Sequence, residues 1–183
     1  SAADVRQLSF NMLAQGVGAE QLTQFISALN DALTRRVIQL NLDNHNFDGV
    51  EWAWLAFGSE GRDEQTFSTD QDNGIVFACA DAAAVDALRQ RFLAFALDVN
   101  KDLDRCGFPL CKGNIMASNP QWCLSLDEWR EQFSQWIRVP QPEALLNATI
   151  FFDFRSLFGK AELAESMRRH LLMQTSSNPM FLR

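Results

Sequence analysis

The chain has 183 residues, 47% of them hydrophobic and 21% charged, which suits one domain of ordinary size with a sizeable core. Its formal net charge of −7 excludes a general nucleic-acid binder, which needs a basic stripe, but not a small anionic ligand held through a divalent metal. The most apolar window, ALLNATIFF, is too short to span a membrane, and the opening SAADVRQLSF lacks the apolar core of a leader.

Residues 2–41 read as helical, with Gly16 and Gly18 separating a short helix from a longer one. In the longer one Leu22, Phe25, Ile26, Leu29, Leu33 and Val37 recur every three or four residues and make one apolar stripe. A polar loop, NLDNHNFDG, precedes the strand VEWAWLAFG, and GIVFACA is the second strand. Asp81 caps a long helix that Gly107 ends, and FPLCKGNIMA is expected as a third strand. Ser125 and Glu128 form a capping box at the head of LDEWREQFSQWI. The aromatics of PEALLNATIFFDFRSLFG suit a strand, but Pro142 at its start and Gly159 at its end favour a helix. KAELAESMRRHLLMQ is the last helix. The expected fold is α/β: a small mixed sheet with an Asp-x-Asp on one strand, flanked by helices and extended by helices at both ends. Residues 1–44 read as a helical connector, 45–140 as the core, and 141–183 as helices leading towards a further domain. Apolar end helices of such a piece would favour self-association into a homo-oligomer.

The four cysteines, Cys79, Cys106, Cys111 and Cys123, form no Cys-x-x-Cys pair, and His45 and His170 lie far from them in sequence. Free thiols in a reducing cytoplasm, rather than a zinc site, are expected. Trp129 and Trp136 are seven apart on one helix and share a face, which suits the core better than a base-stacking site.

The chemistry concentrates in GSEGRDEQTFSTDQDNGIVF, residues 58–77. Residues two apart on a strand share a face, so Asp70 and Asp72 project side by side. Adjacent carboxylates repel unless a cation sits between them, and an all-oxygen pair selects Mg2+ or Mn2+ over zinc. Gly58 and Ser59 turn away from the preceding strand, and such a turn offers backbone N–H groups to phosphate. A calcium loop is excluded because its sixth position, which needs glycine, is Ile75. A Walker-type loop is excluded because Gly-Lys-Ser/Thr is missing. An exposed acidic hairpin that binds nothing would not need the Gly-Ser turn at a fixed distance before it.

GSEGRDEQTFSTDQDN, with GNIMASNPQW, SLDEWREQFSQWI and IFFDFRSLFG, resembles a nucleotidyltransferase family whose members commonly sit beside CBS and cyclic-nucleotide-binding domains. It is similar to the PII-protein uridylyltransferases of the polymerase-beta-like superfamily, and the resemblance runs from about Leu33 to Arg183. The resemblance implies a nucleotidyltransferase-like core in which Asp70 and Asp72 hold the metal and Gly58 and Ser59 contact the phosphates of a nucleoside triphosphate. It implies transfer of a nucleoside monophosphate to a hydroxyl of a protein or small molecule, and sensor domains attached in the full-length protein. Arg62 is a phosphate candidate in the same loop, and Glu64 a loop brace. The third carboxylate of the superfamily is missing from FPLCKGNIMA, where Lys112 is an outside candidate for the site. Asp153 in FFDFR is its substitute, and Arg155 a phosphate or loop contact. On a helix only one of these two would face the site. The missing acid leaves a second expectation beside the enzyme: a nucleotide- and metal-sensing module that does not turn over.

Overall fold

The computed structural model describes residues 2–62, 70–138 and 152–177. Two helices, α1 (Ala2–Ala14) and α2 (Ala19–Leu42), lead to strand β1 (Trp52–Ala56). A single helical turn, α3 (Gly58–Gly61), follows, then β2 (Asn73–Phe77) and the long helix α4 (Val85–Cys106). Strand β3 (Cys123–Ser125), helix α5 (Leu126–Arg138), strand β4 (Arg155–Gly159) and helix α6 (Ala161–Ser176) complete the order.

The sheet is mixed and runs β3-β2-β1-β4. β1 lies antiparallel to both β2 and β4, while β2 and β3 are parallel, joined by the crossover of α4. Ala56 at the end of β1 pairs with Asn73 at the start of β2 and with Arg155 at the start of β4. One end of the sheet therefore collects the Gly58 turn, the Asp70–Asp72 segment and the entry to β4.

Both faces of the sheet are covered, which explains why β1 and β2 are buried at every position instead of alternating. Trp52, Trp54, Ile75 and Phe77 point to one core, shared with Ile38 of α2 and Phe92 and Phe95 of α4. Ala53, Leu55 and Val76 point to the other, shared with Trp129 and Phe133 of α5 and Met167 of α6. Phe47, from the loop before β1, stacks on Phe92 at 4.1 Å between ring centroids.

The helix signals act as the sequence implies. Asp81 accepts from Ala83 N–H at 2.9 Å ahead of α4. Gly107 closes α4 at φ 103°, with Phe108 N–H returning to the Leu103 carbonyl. The capping box forms in both directions: Glu128 accepts from Ser125 N–H at 2.8 Å, and Ser125 Oγ accepts from Glu128 N–H at 3.2 Å.

Two expectations are corrected. FPLCKGNIMA is not a strand: its residues turn irregularly, with Asn114 at φ 56°, and the sheet's outer place is taken by Cys123–Ser125. The end of PEALLNATIFFDFRSLFG is not helical: Arg155–Gly159 is strand β4, and positions 142–151 lie outside the described residues. Its apolar residues were the stronger signal because Phe154 and Leu157 each have a core to enter, one on each face of the sheet. Asp153 lies just ahead of β4 and Arg155 is its first residue, so helical spacing does not govern which way the two face.

Candidate functional site

Gly58 has φ 56°, the left-handed region that favours glycine. A Cβ built there would lie 3.6 Å from Asp72 Oδ2, so the Asp72 carboxylate stands directly over the turn. The two strand ends are locked together by the Phe57 N–H bond to the Asp72 carbonyl, 3.0 Å. Ser59 lies in the same turn. Gly61 is needed for a different reason: a Cβ there would meet the Asp153 carbonyl oxygen at 1.8 Å. The chain entering β4 therefore passes hard against the far side of the turn.

Asp70 and Asp72 are both half-buried. Burial pushes the Asp72 carboxyl up from 3.8 to about 6; the neighbouring Asp70 charge adds to this, while the Cys111 thiol bond opposes it. That thiol donates to Asp72 Oδ1 at 3.4 Å, and its own pKa is raised, first by burial, so it stays a neutral donor. No sequence spacing signals the approach of Cys111 to Asp72. Lys112 next to it is exposed.

The residues alternating with the aspartates point the other way. Gln71 and Asn73 are 1% and 2% exposed, and their amides meet Asn100 of α4, itself 1% exposed. No motif in the sequence marks any of the three. The available signal was period two itself: if Asp70 and Asp72 share one face, the polar residues between and after them must be satisfied on the opposite one.

Arg62 pairs with Asp153 at 3.2 Å, both half-exposed, beside the turn. Arg155 is placed elsewhere: its guanidinium holds Asp31 of α2 in a two-pronged bond, 2.8 Å on each side. Glu64 lies outside the described residues. Trp52, Trp54, Trp122 and Trp129 are buried in the two cores, and Trp129 Nε1–H donates to the Ile75 carbonyl at 3.0 Å.

The donor set fits a hard divalent cation. Two carboxylates lie close enough for one to raise the other's pKa, and Mg2+ is commonly held by one or two carboxylates plus substrate phosphates. Among the described residues, no group of three or more His, Cys, Asp or Glu is placed to hold a metal. Among the same residues, no helix is long and apolar enough to cross a membrane.

Comparison with curated proteins gives no match. The family model described as Putative nucleotidyltransferase DUF294 matches residues 3–143, from α1 through the Gly58 turn and the Asp70–Asp72 pair to beyond α5. On a match covering well over half of its length, the chain belongs to that nucleotidyltransferase family.

Proposed function

We propose that the chain is a metal-dependent nucleotidyltransferase that moves a nucleoside monophosphate from a nucleoside triphosphate to a hydroxyl of a protein or small molecule. The observation that carries this reading is the Asp72 carboxylate standing over the left-handed Gly58 turn, with Asp70 beside it. Asp70 and Asp72 would hold Mg2+ or Mn2+. When bound, that ion neutralises phosphate charge and orients the triphosphate. Gly58 and Ser59 open a helical turn, and the leading N–H groups of such a turn have no partner within it, so they are donors for phosphate oxygens. Gly58 also keeps side-chain bulk away from the space beneath Asp72. Arg62 supplies positive charge at the rim of the turn, and Asp153 holds that guanidinium in place. In the transfer the acceptor oxygen bonds to the α-phosphorus, the bond to the β-phosphate oxygen breaks, pyrophosphate leaves, and the acceptor loses its proton. Asp153 is the candidate to assist that proton's departure.

A second reading, a nucleotide-sensing module without turnover, is favoured by the Asp153–Arg62 pair, because a carboxylate engaged by an arginine is a poorer third acid. The two readings separate in one screen. Each of the four ribonucleoside triphosphates is added with Mg2+, and both thermal shift and pyrophosphate release are measured. Enzyme and sensor both give a shift with at least one nucleotide, lost in Asp70→Asn/Asp72→Asn; only the enzyme releases pyrophosphate. No shift with any nucleotide, or an undiminished shift in the folded double variant, overturns the metal-nucleotide site.

A further inference from the structure

The buried amides behind the aspartates interlock. Asn100 Nδ2 donates to Gln71 Oε1 at 2.9 Å and to Asn73 Oδ1 at 3.1 Å. Asn100 Oδ1 accepts from Ser118 N–H at 3.2 Å, and Asn73 Oδ1 also accepts from Ala117 N–H at 2.9 Å. Gln71 Nε2 spends both its hydrogens on carbonyls, Asn100 at 3.0 Å and Phe108 at 2.9 Å. The backbone completes the clamp: Gln71 N–H donates to the Pro109 carbonyl at 2.9 Å, and Asn73 N–H to the Ile115 carbonyl at 3.2 Å.

Gln71 and Asn100 have every side-chain amide group partnered, Asn73 has its Oδ1 bonded twice, and all three residues have almost no exposure, so none of them serves as a ligand. A core position is normally filled by an apolar residue, and three interlocked amides are costly unless fully satisfied. Their placement gives the reason. Gln71 sits between Asp70 and Asp72, and Asn73 follows Asp72. Fixing Gln71 and Asn73 on one side of the extended chain fixes the two carboxylates on the other. A one-residue slip would turn both aspartates inward.

We infer that Asn100 is the positioning residue of the site: through Gln71 and Asn73 it sets the register that presents Asp70 and Asp72 together to a divalent cation. The inference rests on the metal reading above. It makes the irregular segment Phe108–Ser118 part of the same device, since its carbonyls and N–H groups grip the aspartate segment where a strand was expected.

The test is Mn2+ binding, followed by the electron paramagnetic resonance of the free ion and titrated alone and with each ribonucleoside triphosphate. Asn100→Asp keeps the acceptor for Ser118 N–H but loses both amide donors. Gln71→Met keeps the length but loses the grip on Phe108. Either variant should weaken Mn2+ binding about 10- to 100-fold, the usual effect of losing a group that orients metal-bound carboxylates. Trp129→Phe is the control: it removes a buried hydrogen bond to Ile75 on the same strand but none to the aspartate segment. At a matched loss of melting temperature it should leave Mn2+ binding unchanged.

Equal weakening in the control would make the amides merely structural and overturn the inference. Unchanged Mn2+ binding in folded Asn100→Asp and Gln71→Met would overturn it too, with the metal reading intact. No Mn2+ binding by the wild-type chain would overturn the metal reading and the inference with it. Should a variant not fold, hydrogen exchange on the wild type decides. The amides of Gln71, Asn73, Ala117 and Ser118 should be among the slowest before any metal is added. Protection that appears only with Mn2+ would mean that the ion, not Asn100, organises the segment.

Discussion

At the scale of single residues, the site stores cost that an unneeded carboxylate would not. Asp72 has its pKa raised from 3.8 to about 6, first by burial and then by Asp70. Well above pH 6 its carboxylate is ionised in both the folded and the unfolded chain, and the full cost, about 1–2 kcal/mol once solvent screening of this partly exposed group is allowed for, stands. As pH falls from 6 towards 4 the folded chain takes up the proton first, and the cost disappears. Metal-free Asp72→Asn should therefore melt several degrees above wild type at pH 7.5 and level with it near pH 4. Scanning calorimetry in chelator at both pH values checks this, and a less stable variant at pH 7.5 would contradict it. The glycines of the turn separate by mechanism. Gly58→Ala meets Asp72 only at contact distance and carries the left-handed strain alone, about 1–2 kcal/mol. Gly61→Ala drives its Cβ into the Asp153 backbone at 1.8 Å, which nothing short of a chain shift relieves, so it should cost more, about 3 kcal/mol or above. Denaturant unfolding of the two variants should rank them in that order.

At the scale of elements, β4 is where the N-terminal helices reach the site end of the sheet. Arg155 at its first position holds Asp31 of α2 with two bonds of 2.8 Å, and Arg35 of the same helix donates to the Leu157 carbonyl at 2.9 Å. The pair is only partly buried, with Asp31 9% and Arg155 20% exposed at the side chain. Its loss should thus cost less than a fully buried pair, about 2 kcal/mol. Asp31→Ala and Arg155→Ala are expected to destabilise by similar amounts, and the double variant by little more than either, in a thermodynamic cycle from urea unfolding. Additive losses would show that the bonds contribute nothing jointly. Arg155→Ala should leave triphosphate binding by the folded protein nearly unchanged; a large loss would restore Arg155 as a phosphate contact. The same pairing gives a displacement of α2 a direct route to β4, whose entry carries Asp153.

At the scale of the whole molecule, the sheet separates two cores that share no buried residue. Phe95, with α2 and α4, lies on one side, and Phe133, with α5 and α6, on the other. Phe95→Leu and Phe133→Leu should each destabilise by about 1 kcal/mol and add within about 0.5 kcal/mol when combined, because no contact joins them. A strong deviation from additivity would show that the sheet transmits packing strain between its faces. The aspartate end of the sheet is where both layers meet: Gln71 and Asn73 reach α4 on one face, while Phe57 and Phe154 enter the core of α5 and α6 on the other.

The sequence by itself determined the parts whose physics is local. Helical periodicity and glycine breaks gave α2 and α4, the Ser125–Glu128 box set the start of α5, and period two put Asp70 and Asp72 on one side of the chain, although they sit just ahead of β2, which begins at Asn73, and not on the strand itself. The pattern failed where burial is non-local. The length of the segment and its bracketing by Pro142 and Gly159 favoured a helix over the edge strand Arg155–Gly159, and the short parallel strand Cys123–Ser125 carried no signal beside the longer FPLCKGNIMA. Only the tertiary structure decided what lies across from each group: Asp31 against Arg155, Arg62 against Asp153, Cys111 against Asp72, and Asn100 behind the aspartates. These partners are 124, 91, 39 and 29 residues apart in sequence, and separations of that size are closed by the packing of the sheet and its helices, which no local pattern encodes.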